Sequence, residues 1–247
     1  ATTNAWTSSN TSVATVSNTG LVTGVSAGTT TITYTNSNGC QITATITVNA
    51  LPTITGTLII CAGSTTQLTG SATPATTNAW TSSNTAVATV NASGLVTGVS
   101  AGTTTITYTN SNGCQNTATI TVNALPTITG TLNACVGNSS QLTGSATAAT
   151  TNAWTSSNTA VASVDNTGLV TGVSAGTATI TYTNSNACQR SITFTVNALP
   201  TITGILNVCV GSTRQLTGSA TAATTNAWTS SNTSVATVSN TGLVTGV

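Results

Sequence analysis

Six cysteines are the residues of this chain whose chemistry is easiest to interpret. They fall into two series in which neighbours are 74 residues apart: Cys40, Cys114 and Cys188, and Cys61, Cys135 and Cys209. Thiols that recur in pairs at fixed spacing are typical of disulfides, which persist in oxidising surroundings. The cysteines therefore predict cross-linked modules and an extracellular location.

The rest of the composition excludes most other site chemistry. Asp165, Arg190 and Arg214 are the only charged side chains, and the chain has no Lys, Glu, His or Met. The chain therefore has no His for a metal site or a general base, no pair of carboxylates for acid–base catalysis, and not the several carboxylates that a calcium site needs. Two arginines do not make a basic face for nucleic acid, and no apolar run reaches the ~18 residues that suggest a membrane span. We therefore expect no enzyme activity, cofactor, metal site, nucleic-acid partner or membrane segment in this sequence.

An internal repeat sets the organisation of the chain. Residues 1–25 recur letter for letter as residues 223–247, a displacement of three steps of 74. A Leu-Pro dipeptide marks the start of each module, at Pro52, Pro126 and Pro200. We predict complete modules at 51–124 and 125–198, the C-terminal part of a module at 1–50, and the N-terminal part of another at 199–247. Neither partial module can close its own core, so we expect the polypeptide to continue in both directions.

The periodicity within a module indicates strands. Residues 103–109 and 118–122 alternate Thr with Ile, Tyr, Ala or Val, and β-branched residues dominate both runs. A period of two with such residues is typical of half-buried antiparallel strands. Gly- and Asn-containing turns separate the runs, and no helical period occurs. About seven short strands in 74 residues predict an all-β, two-sheet sandwich repeated in tandem.

The order of motifs resembles a known family. Trp80-Thr-Ser-Ser-Asn is followed by Val87-Ala-Thr-Val, Gly94-Leu-Val and Ser100-Ala-Gly-Thr-Thr-Thr-Ile. This series is similar to the bacterial Ig-like domain of group 2 type, and the two cysteines per module look like a variant of it. The resemblance implies Ig-like sandwiches of a bacterial surface protein, arranged as an elongated rod.

Two disulfide pairings are open. The simpler one lies within each module, Cys61–Cys114 and Cys135–Cys188, and closing 53 residues would stabilise by about 4 kcal/mol. In an Ig-like sandwich, however, the first turn and the last hairpin lie at opposite ends, ~25 Å apart, whereas disulfide Cα atoms are ~4.4–6.8 Å apart. The resemblance therefore favours a bond across the junction, Cys61–Cys188, which leaves the other four cysteines without partners in the chain.

Aromatic residues recur with the same period. We expect them to fill the space between the sheets rather than to stack on sugars; they are Trp6, Trp80, Trp154 and Trp228 with Tyr34, Tyr108 and Tyr182. Pro52, Pro126 and Pro200 restrict the backbone at the junctions, where no Gly/Ser linker occurs.

Together these features predict a structural extracellular filament or stalk, part of a much longer repetitive bacterial surface protein. Its partners would be neighbouring modules of the same array and, because the surface is nearly uncharged, lateral copies of itself. The alternative is an adhesin shaft whose repeats bind glycan or another surface. A glycan ligand would need exposed aromatic residues or a distinct polar pocket, and the sequence indicates neither.

Overall fold

A computed structural model describes residues 5–247 of the chain; residues 1–4, which belong to the predicted module 1–50, lie outside the described part. All regular elements of the described residues are β-strands, which confirms the all-β class. By its contacts the chain divides into two compact units. One runs to Leu125 and includes Asn186–Cys188, and the other consists of Pro126–Ser185 and Gln189–Val247.

The strands follow the 74-residue period. The first partial module has β1 (Trp6–Ser8), β2 (Ala14–Val16), β3 (Val22–Gly24), β4 (Gly28–Thr35) and β5 (Gln41–Val48). The next has β6 (Ile54–Thr55), β7 (Ile59–Cys61), β8 (Thr65–Gln67), β9 (Thr69–Gly70), β10 (Trp80–Ser82), β11 (Ala88–Val90), β12 (Leu95–Gly98), β13 (Gly102–Thr109) and β14 (Gln115–Asn123). Residues 125–198 have β15 (Ile128–Gly130), β16 (Asn133–Cys135), β17 (Ser139–Gly144), β18 (Trp154–Ser156), β19 (Ala162–Val164), β20 (Leu169–Gly172), β21 (Gly176–Thr183) and β22 (Gln189–Asn197). The last part has β23 (Ile202–Thr203), β24 (Thr213–Gln215), β25 (Thr217–Gly218), β26 (Ala236–Val238) and β27 (Leu243–Gly246).

Each complete module is a sandwich of two sheets. In residues 125–198 the sheets have the strand orders β16-β22-β21-β18 and β15-β17-β20-β19. Residues 51–124 repeat the first sheet as β10-β13-β14-β7, and their second face consists of β11-β12-β8 with the short pair β6-β9. When the interrupted first and second strands are each counted once, a module has seven strands, as the periodicity predicts.

The two faces enclose an apolar core. In residues 51–124, Leu68, Val96, Ile106 and Ile120 are all at most 1% exposed. The alternation of β13 turns Ile106 and Tyr108 inward, but it turns Thr104 inward as well, where only 4% of that residue is exposed. Thr104 is accommodated because its hydroxyl accepts a hydrogen bond from the Asn84 N–H at 3.0 Å and lies within 3.2 Å of two serine hydroxyls.

The partial modules have open apolar faces. In residues 5–50, Ile46 and Val48 are half-buried, whereas their equivalents Ile120 and Val122 are buried, and residues 199–247 expose Leu206 and Val210 by more than 80%. In complete modules the matching strands pair with each other: β7 runs parallel to β14, with Ile59 opposite Thr121 and Cys61 opposite Asn123. A partial module contains only one partner of that pair, so its apolar side chains stay uncovered.

Candidate functional site

The aromatic pair is the most regular feature of each core. The ring centroids of Trp80 and Tyr108 are 4.6 Å apart, and Trp154 and Tyr182 repeat the pair at 4.7 Å. The Tyr108 hydroxyl donates a hydrogen bond of 2.8 Å to the carbonyl oxygen of Ala72. Trp80 is 8% exposed and Tyr108 2%, so in the complete modules these residues occupy the core rather than a sugar-binding surface.

The partial modules depart from that prediction. Tyr34 is 37% exposed, and Trp6 and Trp228 are half-buried, so these three residues are less buried than their equivalents in residues 51–198 and their core assignment stays a prediction. Tyr34 contacts Trp6 as expected, with centroids 4.6 Å apart, but residues 5–50 contain no counterpart of Gly70 and Ala72, which cover Tyr108. Burial of this pair therefore needs strands from both parts of a module.

A cavity lies beside Trp228 for the same reason. It has a volume of about 620 Å³ and is lined by Leu216, Gly218 and Trp228 among others. In residues 51–124 the cavity beside Trp80 and Tyr108 measures only about 210 Å³. An alanine methyl at Gly70 would lie 2.3 Å from the Tyr108 ring, whereas at Gly218 the nearest atom is Trp228 Cζ2 at 3.7 Å. The larger cavity includes the space beside Gly218 that corresponds to the position of the Tyr108 ring beside Gly70.

The junction prolines differ in burial. Pro52 and Pro126 are buried, whereas Pro200 is exposed in the last partial module. Only four residues, 124–127, separate the end of β14 from the start of β15.

Cys61 is held where β14 ends. It is the last residue of β7 and lies opposite Asn123, and the next residue, Ala62, donates its N–H to the Asn123 carbonyl oxygen at 2.9 Å. The Ser64 N–H then bonds the Cys61 carbonyl oxygen at 3.0 Å, and Gly63 between them has a φ of 81°, which favours glycine. A short turn therefore fixes Cys61 at the C-terminal end of its module.

The second cysteine series lies at the tip of the last hairpin. In residues 51–124 the Asn110 side-chain oxygen accepts the N–H groups of Asn112 and Cys114, at 3.1 and 3.0 Å. Asn110 is 2% exposed, and Asn36 holds Cys40 in the same way at 2.9 Å. Sequence reasoning missed these asparagines, although Asn-Ser-Asn-Gly-Cys and Asn-Ser-Asn-Ala-Cys recur and Asn commonly bonds the backbone two residues on.

A disulfide joins the two series. Cys61 and Cys188 are bonded, with Cα atoms 5.6 Å apart, across a sequence separation of 127 residues. Cys188 is 1% exposed and lies in Asn186–Cys188, the short segment that belongs to the same compact unit as Cys61. Closing a loop of that length stabilises the folded chain by about 5 kcal/mol in the chain-entropy account.

The intramodule bonds Cys61–Cys114 and Cys135–Cys188 are not formed. Cys40 and Cys209 are free and exposed, and Cys114 and Cys135 are free and half-buried. The reason is distance within a module: Cys61 lies opposite Asn123, and Cys114 precedes the other end of β14. Nine residues at about 3.3 Å each separate the two ends of that strand by about 30 Å.

The three charged residues, Asp165, Arg190 and Arg214, are exposed. Asp165 accepts hydrogen bonds from the Thr167 hydroxyl and N–H at 2.7 and 2.8 Å and from the Leu169 N–H at 3.0 Å. These bonds, that of the Thr167 hydroxyl first, hold the pKa of Asp165 below its ordinary value. The carboxylate therefore shapes a turn, as Asn91 does in the preceding module.

Residues 5–247 contain no group of three or more His, Cys, Asp or Glu side chains placed to hold a metal ion. In the same residues no helix is long and apolar enough to cross a membrane.

Comparison with solved structures finds Ig-like tandem proteins at low identity. Domains 4–9 of the surface layer protein SbsC are 21% identical, with a TM-score of 0.21 and coverage of 82% of this chain and 40% of that one. Invasin, described as a bacterial integrin-binding protein, is 18% identical, with a TM-score of 0.29 and coverage of 92% and 60%. A C-terminal fragment of intimin, solved with the intimin-binding domain of its translocated receptor, is 19% identical, with a TM-score of 0.31 and coverage of 74% and 61%. This chain thus spans less than two thirds of each of these structures.

No curated protein matches the sequence. The family described as bacterial Ig-like domain (group 2) matches residues 2–48, 48–122, 127–197 and 200–247, which together make up nearly the whole chain. The motif order seen in the sequence, the seven-stranded sandwiches and these four matches agree, and the chain belongs to the bacterial Ig-like domain (group 2) family.

Proposed function

We propose that this chain is part of an extracellular structural filament or stalk of a bacterial surface protein, built from tandem Ig-like modules. The observation that carries the proposal is the disulfide between Cys61 and Cys188. These two residues belong to successive 74-residue repeats, so the bond adds a second covalent connection to the peptide link at 124–126. Such bonds persist outside the reducing cytosol, which supports an extracellular location.

The connection between repeats supports a stiff array. Asn123 ends β14 and Ile128 starts β15, and the four residues between them include Pro126, which is buried. Proline fixes its own φ and biases the preceding residue toward extended geometry. No Gly/Ser segment is present to act as a flexible linker. A short, proline-containing connection of this kind suits a rod better than a chain of freely moving beads.

The surface chemistry supports side-by-side association. The formal net charge is +1, and charged residues make up 1% of the chain. Charge repulsion normally keeps protein surfaces apart, and its near absence favours contacts between copies. The outward positions of β13 and β14 carry mainly Thr, whose hydroxyl is available for hydrogen bonds to a neighbouring copy.

Small-angle X-ray scattering on the purified chain tests the rod. A module adds about 35–40 Å of length, so the chain would extend about 120 Å and have a radius of gyration near 35 Å. A compact globule of this chain length has a radius of gyration of about 18 Å. A measured value close to the compact one would refute a stiff array.

Electron microscopy of the parent protein, taken from its cells without reductant, tests the filament. Long fibres of uniform width are expected. Short isolated rods that bind immobilised glycans would contradict the filament and favour an adhesin shaft. The matched control for glycan binding is the same preparation after thermal unfolding.

A further inference from the structure

The disulfide divides the chain into a closed loop and two flanking segments. Cys61 ends β7 and Cys188 immediately precedes β22. All strands from β8 to β21 lie between the two cysteines and so belong to the loop. The flanking segments enter the loop through β7 and leave it through β22.

We infer that this bond removes β8–β21, which make up most of two sandwiches, from the path of a tensile force and directs the force through the single strands β7 and β22. The inference rests on the proposed function of the chain as part of a filament or stalk. Force applied to residues on either side of the loop passes along β7, through the two sulfur atoms and into β22. The 127 residues of the loop cannot lengthen while the bond is intact, so the hydrogen bonds and apolar contacts of β8–β21 are not pulled apart in series.

The strand that receives the force is already nearly taut. β22 has nine residues and is paired along its length with β21, and near its end with β16. A strand rises about 3.3 Å per residue, and a fully stretched chain spans at most about 3.6 Å per residue. Stretching β22 therefore gains only a few Å. A tether that passes through such a strand is stiff because its covalent backbone, rather than a folded core, bears the load.

The free cysteines repeat the same positions. Cys135 lies opposite Asn197 at the end of β16, as Cys61 lies opposite Asn123. Cys114 is in the position of Cys188, one hairpin earlier. Consider an array in which every repeat forms the observed bond. The force would then pass along the backbone for only 21 residues between one disulfide and the next, from Cys114 to Cys135 or from Cys188 to Cys209. On one such route, only 21 of every 148 residues would carry tension. A second route of the same kind would use the disulfides of the alternate repeats.

Single-molecule force spectroscopy on the 247-residue chain, held by its two termini, tests the inference. Without reductant, full extension should release only residues outside the loop. After dithiothreitol, the same molecule should gain about 440 Å of contour length, from 127 residues at about 3.5 Å each. The double variant Cys61→Ser with Cys188→Ser should show the long extension under both conditions.

A second double variant, Cys114→Ser with Cys135→Ser, is the matched control because both residues are free. It should behave as the wild type, in which the 127 residues of the loop do not extend until reductant is added. If the bonds instead lay within modules, this variant would lose them all and extend fully without reductant. That result, or equal extension of the wild type with and without reductant, would overturn the inference. Either would also remove the bond that supports the filament proposal, but the two failures stay distinguishable, because fibres are judged by microscopy and this inference by the contour length gained on reduction.

Discussion

Replacing Gly70 with alanine should destabilise one module selectively. The new methyl group would lie 2.3–2.5 Å from three atoms of the Tyr108 ring, where ordinary contacts are above 3.4 Å. Tyr108 is 2% exposed and its ring stands against Trp80, so the ring can move away from the methyl group only toward the cavity of about 210 Å³ beside it. Overpacking costs about 1–3 kcal/mol, and loss of the Tyr108–Ala72 hydrogen bond costs about 1 kcal/mol. We expect G70A to destabilise residues 51–124 by about 2–4 kcal/mol.

Hydrogen exchange measured by mass spectrometry resolves the modules. β14 reads Gln-Asn-Thr-Ala-Thr and β22 reads Gln-Arg-Ser-Ile-Thr, so peptides from the two strands are distinct. In G70A the protection of β14 should fall about 30- to 700-fold, because each 1.4 kcal/mol of opening free energy is a factor of ten. The protection of β22 should change much less.

The chain contains its own control for this substitution. Gly218 occupies the same position in the last partial module, and its added methyl group would meet only Trp228 Cζ2 at 3.7 Å. G218A should therefore alter stability by less than about 0.5 kcal/mol. An alanine methyl group at Gly144 would lie 2.3 Å from the Tyr182 ring. G144A should therefore lower the hydrogen-exchange protection of β22 rather than that of β14. Unchanged protection of β14 in G70A, or an equal cost for G218A, would refute the steric reasoning.

Three further substitutions test single interactions. The hydrogen bonds that lower the pKa of Asp165 stabilise the folded chain at pH values above the ordinary carboxyl pKa. This stability is lost as the pH falls through the lowered pKa of the folded state. Thermal melting from pH 6 to 2 should therefore decline slightly more for the wild type than for D165N, and an equal decline would exclude this source. Ala187 has a φ of 61° at the position where the preceding repeat has Gly113, with a φ of 78°. A187G should therefore raise the free energy of unfolding in urea by about 1 kcal/mol, and a lower free energy would show that the methyl group is needed. T104A should lower the stability of residues 51–124, measured by hydrogen exchange, by about 1–2 kcal/mol, because the Asn84 N–H loses its acceptor. Unchanged stability would show that water replaces the hydroxyl.

The fold was largely predictable because its signals are local. Alternation along residues 103–109 and 118–122 fixes strand type, and a step of 74 residues fixes the repeat. Trp80 and Tyr108 could be assigned to the core from their type and place in the pattern. Thr104 is different, because its burial depends on serine hydroxyls and the Asn84 N–H that reach it from another strand.

The exposure of Tyr34 shows a limit of the same reasoning. Its own strand, β4, has the sequence of β13, where Tyr108 is almost fully buried. The difference comes from residues far away in sequence, since Gly70 and Ala72 cover Tyr108 and residues 5–50 contain no equivalent of either. Burial is a property of the assembled sandwich, and a strand sequence alone does not report it.

By itself, then, the sequence determined the strands, the module length, the near absence of charge and the two cysteine series. Each depends on residue type and spacing along the chain. Only the tertiary structure decided which cysteines bond, because pairing depends on which ends of the sandwich meet. Cys61 is fixed beside Asn123, about 30 Å along β14 from Cys114, while its Cα lies 5.6 Å from that of Cys188. Among the described residues, one disulfide thus forms, between the two cysteines whose Cα atoms lie 5.6 Å apart, and the other four cysteines are free.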